Sequence, residues 1–295
     1  MRELHAHTVH GQPVQLIHRH GLSLDHGLRT VIHDRRMDFE FRETQTAFTS
    51  GSQQARVWTE DWVLRQMYCP ACGAEPLIDF TNNRPVADFY CGTCAEEFEL
   101  KGKSTKTYGN KVVDGAYHTM MERLASDTNP SLMVMLYSKA DRQVRDLSVI
   151  PKPFFTPDII ERRKPLAETA RRAGWVGCNI LLHKVPKAGR IDLVRNQIAR
   201  PREQVLDAWS RTDFLRRASF EKKGWALDVL TCVEAVTNAN GPEFTLADIY
   251  AFENTLSALH PENNNVRPKI RQQLQVLRDS GLVSFLGSGR YQRST

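Results

Sequence analysis

The sequence predicts a mixed α/β chain: an α+β first unit built around a four-cysteine metal site, followed by a C-terminal winged helix. Three observations carry that expectation. Of the 295 residues, 41% are hydrophobic and 25% charged, which is enough apolar side chain for true cores. Short strand-like and helical runs surround a Cys-x2-Cys-x18-Cys-x2-Cys array. The last stretch reads as three helices and two short strands around Gly287-Ser288-Gly289. Composition excludes intrinsic disorder and collagen, and there is no apolar run of about 18 residues to span a membrane. The length fits about two domains.

Residues 1–36 hold seven of the ten histidines: His5, His7, His10, His18, His20, His26 and His33. Their spacing follows no regular ligand pattern, and no basic-apolar-small secretory signal is visible. A disordered extension is expected there, with Met37 as a candidate alternative start. Asp38 to Glu43 is a short alternating stretch, and Gln53 to Met67 has helical character. Tyr68 to Lys103 holds four cysteines among strand-like runs. Asp114 to Ala125 is expected to be a helix, Leu132 to Tyr137 a buried strand, and Leu147 to Ile150 a strand stopped by Pro151 and Pro153.

The net charge of +6 is unevenly spread. Lys152 to Arg202 carries 12 Lys/Arg against 4 Asp/Glu, a one-sided run that fits phosphate contacts. The expected boundary between units falls at 218/219. Beyond it, Glu221 to Val236 is a helix with Trp225, Val229, Val233 and Val236 along one face. Thr245 caps a second helix to about Leu259, with Asp248 closing an approximate capping box. A third runs from Val266 to Asp279 with Ile270, Leu274 and Leu277 inward, ended by Gly281. Leu282 to Leu286 and Arg290 to Gln292 complete a winged-helix arrangement.

Cys69, Cys72, Cys91 and Cys94 have the spacing of two zinc knuckles. Four thiolates close a tetrahedral site and leave no position for substrate, so the zinc is structural. The rival is two disulfides in a secreted chain; with no secretory signal, thiolates in a reducing cytoplasm are favoured. Cys178 and Cys232 are expected to be buried small apolar residues.

The stretch ending Glu97-Phe98-Glu99-Leu100-Lys101 follows the second knuckle. If it pairs with Asp88-Phe89-Tyr90, then Asp88 lies near Glu99. Glu99 and Lys101 share one strand face, and Leu100 points into the core. Two carboxylates and one ammonium then converge, a set suited to phosphodiester hydrolysis. Asp88 and Glu99, with the Leu100 carbonyl, can hold a hard cation such as Mg²⁺. Lys101 orients the water, stabilises the pentacovalent transition state or, with a depressed pKa, acts as base. Glu97 faces the same side as Glu99. Glu96 faces the other way and is expected to be a solvated charge. A lone Glu-x-Lys is a weak motif, and a strand ending this way is common without catalysis.

Several long blocks resemble the DpnI family of methyl-directed restriction endonucleases. They are Thr59-Glu60-Asp61-Trp62, Tyr68-Cys69-Pro70, residues 82–91, Glu97 to Lys101, Arg171-Arg172-Ala173-Gly174-Trp175 and residues 270–279. The resemblance spans Met37 to Tyr291 and excludes residues 1–36. It implies a PD-(D/E)xK restriction-endonuclease-like catalytic domain over 37–218 with an inserted four-cysteine zinc site. A winged-helix DNA-binding domain follows over 219–295. It also implies Mg²⁺-dependent double-strand cleavage at GATC sites carrying N6-methyladenine. The family's acidic metal ligands fall on Asp88 and Glu99 and its lysine on Lys101, while its zinc ligands fall on the four knuckle cysteines.

For DNA reading, Arg267, Arg271 and Gln272 lie toward the exposed side of the third C-terminal helix, where Arg suits guanine and Gln suits adenine. Arg290 and Arg293, on or beyond the wing, suit phosphate or minor groove. Trp175, between small neighbours, offers an apolar surface for a methyl group, with Arg171 and Arg172 on the phosphates; a core tryptophan is the equal alternative. A cytoplasmic protein acting on double-stranded DNA is expected, monomeric in solution, with the number of copies acting on the two strands left open. Two other classes stay open: a non-catalytic zinc and winged-helix regulator, and a repair or mobile-element nuclease with a different target.

Overall fold

The computed structural model describes residues 37–42, 50–80, 87–216, 218 and 220–294. The His-rich segment, and residues 82–86 of the block before Cys91, lie outside the described residues. From Met37 onward the chain forms one compact unit.

The elements follow in chain order. Helix α1 (Gly51–Gln66) precedes the strands β1 (Leu77–Asp79), β2 (Phe89–Cys91), β3 (Glu97–Lys103) and β4 (Lys111–Ala116). Helix α2 (Tyr117–Ala125) leads to β5 (Ser131–Ser138) and β6 (Gln143–Ile150). Short strands β7 (Ile160–Arg162), β8 (Gly177–Leu181), β9 (Ile191–Arg195) and β10 (Ile198–Ala199) complete the sheets of the first part. Helices α3 (Arg202–Ser210) and α4 (Asp213–Arg216) lead to the long α5 (Phe220–Asn240). Then come β11 (Glu243–Thr245), α6 (Leu246–Tyr250), α7 (Glu253–Leu259), α8 (Val266–Asp279), β12 (Val283–Gly287) and β13 (Arg290–Arg293).

The main sheet has the order β1-β2-β3-β5-β6-β9-β10, and only the β3–β5 pair is parallel. Strand β5 is central and both its faces are covered, which is why its sequence is a continuous apolar run rather than an alternation. Met133, Met135 and Val149 face α1 and α3 through Trp62, Val63, Val205 and Trp209. On the other side Leu132, Val134 and Ile150 join a core shared with Val112 and Ile180 of a second sheet, β4-β8-β7. That core continues into Trp225, Leu230, Ile270 and Leu274 of the C-terminal helices. Among the described residues, no helix is long and apolar enough to cross a membrane.

Three sequence expectations are corrected. The helix expected over Asp114–Ala125 begins only at Tyr117; Lys111 to Ala116 is a strand, because its β-branched Val112-Val113 pair against β8. The helix expected from Thr245 to Leu259 is two. The Thr245–Asp248 capping box is present, but Ala251 and Phe252 separate α6 from α7, and Phe252 donates its N–H to Ile249 in a tighter turn. The wing is three-stranded, since β11 adds to β13. The third helix, Val266–Asp279, buries Ile270, Leu274 and Leu277 as its period predicts.

Candidate active site and metal centre

The two knuckles are alike in backbone. Gly73 N–H donates to the Cys69 carbonyl and Ala95 N–H to the Cys91 carbonyl, at 2.8 and 2.9 Å. Both turn-closing residues are left-handed, at φ 80° and 58°. The turns bring the four Sγ atoms within 4.8 Å of one another, with Cys69–Cys94 at 3.6 Å and Cys72–Cys91 at 3.5 Å. Tetrahedral zinc with bonds of about 2.3 Å separates its sulfurs by roughly 3.8 Å, so the set fits that ion. Cys91 closes β2, which is bonded to β1 on one side and β3 on the other.

The hairpin so fixed carries the acidic residues. Asp88 stands just ahead of β2: its N–H donates to the Phe98 carbonyl at 2.9 Å, and its Oδ2 accepts the Leu100 N–H at 2.7 Å. Glu99 and Lys101 project from the same face of β3, with Lys101 Nζ 2.6 Å from Glu99 Oε1. Leu100 faces oppositely and is half-buried against the α1 side of the core. All four residues line one cleft of about 790 Å³.

Three further charged residues belong to this cleft or its wall. Asp114 of β4, its side chain nearly buried, holds Lys101 Nζ at 2.8 Å, so the ammonium has two carboxylate partners. Arg56 of α1 bridges Glu60 at 2.5 Å and Asp88 at 3.2 Å. The result is two carboxylate–cation–carboxylate sets, Glu60–Arg56–Asp88 and Glu99–Lys101–Asp114. Asp88 and Glu99 bring hard carboxylate oxygens to the same cleft, the donor type that a divalent cation such as Mg²⁺ takes.

Burial pushes the Glu99 carboxyl up to about 7, with Lys101 pulling it down and Asp114 and Asp88 pushing it further up. Burial also works against the charge on Lys101, but the Glu99 and Asp114 carboxylates outweigh it and its pKa is raised. Lys101 thus sits between two carboxylates, Glu99 and Asp114, which favour its ammonium form.

Asp114 is hidden in the sequence by a local reading as helix; the Val112-Val113 pair is the available signal of a strand. Arg56 and Glu60 lie on α1, one of them inside the Thr59-Glu60-Asp61-Trp62 block. Glu96 is corrected as well. It does face away from Glu99, but it is buried rather than solvated, accepting Ser131 Oγ at 2.6 Å and Arg216 at 2.8 Å.

Trp175 is half-buried, and its ring lies where a side chain on Gly177 would stand, at 2.8 Å from the Cβ position. Arg172, which is exposed, lies over that ring at 4.7 Å, and Arg171 is exposed beside it. On α8, Arg267 and Arg271 both reach Tyr250, the first over its ring at 5.0 Å and the second by a 2.7 Å bond to its hydroxyl. Arg267 also pairs with Glu253 at 2.8 Å, while Gln272 is exposed. On the wing, Arg290 pairs with Glu243 at 2.8 Å.

Residues 37–218 match the family model DpnI, described as the Dam-replacing family. Residues 221–293 match the model DpnI_C, described as the Dam-replacing HTH domain.

Proposed function

This chain belongs to the DpnI, or Dam-replacing, family, and from that premise we propose that it is a methyl-directed restriction endonuclease. Its substrate is double-stranded DNA at GATC sites whose adenine is N6-methylated. We assign residues 37–218 to a PD-(D/E)xK catalytic domain and 219–295 to a winged-helix DNA-binding domain, with structural zinc and catalytic Mg²⁺. The observation that carries the reading is the convergence of Asp88, Glu99 and Lys101 on one cleft.

Asp88 and Glu99, with the Leu100 carbonyl, are the residues that would hold Mg²⁺. When bound, the ion lowers the pKa of a water and neutralises charge on the phosphate. Lys101, kept charged by Glu99 and Asp114, presents an ammonium to the oxygens on which charge grows in the pentacovalent transition state. Arg56 offers its remaining guanidinium donors to a phosphate oxygen at the cleft wall. Digesting one plasmid grown with and without adenine methylation tests the reading: the methylated form is cut and the unmethylated form stays intact. Asp88→Ala abolishes that cleavage while duplex binding persists. A variant cutting at the wild-type rate refutes the assignment of Asp88.

For specificity, Arg267, Arg271 and Gln272 of α8 read base edges and Arg290 contacts the backbone. Trp175 packs on the adenine methyl, with Arg171 and Arg172 on phosphates. Burying one methyl is worth about 0.8 kcal/mol, roughly a fourfold preference. Strong methyl dependence therefore needs a second reader, which two modules in one chain supply. Trp175→Ala is expected to lose methyl preference by at least that factor of about four, with zinc content unchanged. Full methyl discrimination in the variant would eliminate Trp175 as the reader.

A further inference from the structure

A second concavity, of about 560 Å³, opens where α3 and the turn Lys187–Gly189 meet α5 and β13. We propose that this cleft is a phosphate-binding site, engaged by the backbone of duplex DNA. Its lining is one-sided: Lys187, Arg190, Arg200, Arg211 and Arg293 against Asp207 and Glu234. Both carboxylates are already used within the fold. Asp207 pairs with Arg211 at 2.7 Å. Glu234, buried on α5, accepts the backbone N–H groups of Lys187 and Ala188 at 2.9 and 3.3 Å.

The cations left over have no anionic partner among the described residues. Lys187 Nζ and Arg293 Nη1 donate to the same Asn238 Oδ1, at 2.7 and 3.4 Å. Two positive charges thus converge on one neutral oxygen, and an anion between them relieves their repulsion. Arg200 has Gln204 as its side-chain partner, at 3.4 Å. Arg190 is exposed and makes no side-chain hydrogen bond or ion pair among the described residues. The arginine forks match phosphate oxygens in pairs. Glu234 ties the backbone of the turn carrying Lys187 to α5, which fixes where that turn stands beside β13. Phosphate has two sources, a duplex backbone and a free polyphosphate. The first is the committed one, and it rests on the nuclease reading.

The test uses the full zinc-loaded chain and a duplex without GATC, titrated by fluorescence anisotropy at several salt concentrations without Mg²⁺. The double variant Arg190→Gln/Arg293→Gln is expected to flatten the slope of log K against log salt by about 2, near 0.9 for each lost contact. Arg190→Glu alone, at an exposed side chain without partners, is expected to flatten it by about 1 and safeguards the result against misfolding. Inorganic pyrophosphate, titrated calorimetrically into wild type and variants, forms the second arm. A flattened slope supports the duplex backbone as ligand. An unchanged slope with pyrophosphate bound by wild type and lost in the variants supports a phosphate site but overturns the backbone as its source. Unchanged slopes and no pyrophosphate binding overturn the site. Wild-type protein that binds neither this duplex nor one carrying methylated GATC sinks the nuclease reading, and the pyrophosphate arm still decides the cleft.

Discussion

Cys91→Ser is expected to release the zinc, unfold the hairpin around it and abolish cleavage of methylated DNA. Strands β1 and β2 are only three residues each, and β2 pairs with β3 at two positions. Ladders that short do not hold themselves together. Cys91 is buried at the end of β2, so one bond to a zinc held there would fix the strand that begins just after Asp88. Structural zinc contributes about 10–16 kcal/mol of apparent binding energy in small domains. Whole-protein stabilities are about 5–15 kcal/mol. Losing most of the first quantity is therefore comparable to the whole of the second. Metal analysis, urea unfolding and plasmid cleavage on the same preparation check it, and a strong chelator added to wild type should reproduce the loss. Should the serine variant keep both its unfolding midpoint and its cleavage rate, the cluster does not hold the site.

What is legible in the sequence is local. The Thr245–Asp248 capping box lies within one turn, and the inward Ile270, Leu274 and Leu277 follow a helical period, so both can be read without the fold. The convergence of Asp88, Glu99 and Lys101 follows from strand parity and one assumed pairing, which β2 and β3 make. The misses depend on distant chain. Glu96 reads as a surface charge until Arg216, 120 residues away, comes to meet it. Strand β11 has three residues, and its partner β13 lies at the other end of the winged helix. Asp114 escapes for both reasons: its strand reads locally as helix, and its partner Lys101 lies on a different sheet. A residue that works by facing another sheet leaves no periodic trace in its own neighbourhood.

Asp114→Asn is accordingly expected to lower the cleavage rate by about a hundredfold, near the effect of losing one preorganised electrostatic contact in an active site. In the wild type Lys101 is shared between Glu99 at 2.6 Å and Asp114 at 2.8 Å. With Asp114 neutral, the ammonium leans wholly on Glu99, the carboxylate proposed to hold Mg²⁺. Cation and lysine then compete for the same oxygen, and the ammonium is drawn from the position where phosphate charge develops. The rate should fall and the Mg²⁺ concentration for half-maximal cleavage should rise together, as single-turnover assays across Mg²⁺ concentrations will show. Asp114→Glu, which keeps the charge, should recover part of both. In a Lys101→Met background the same Asp114→Asn change should do little, because the residue acts through the lysine. An equal loss in that background would mean that Asp114 supports the fold of β4 rather than the placement of Lys101.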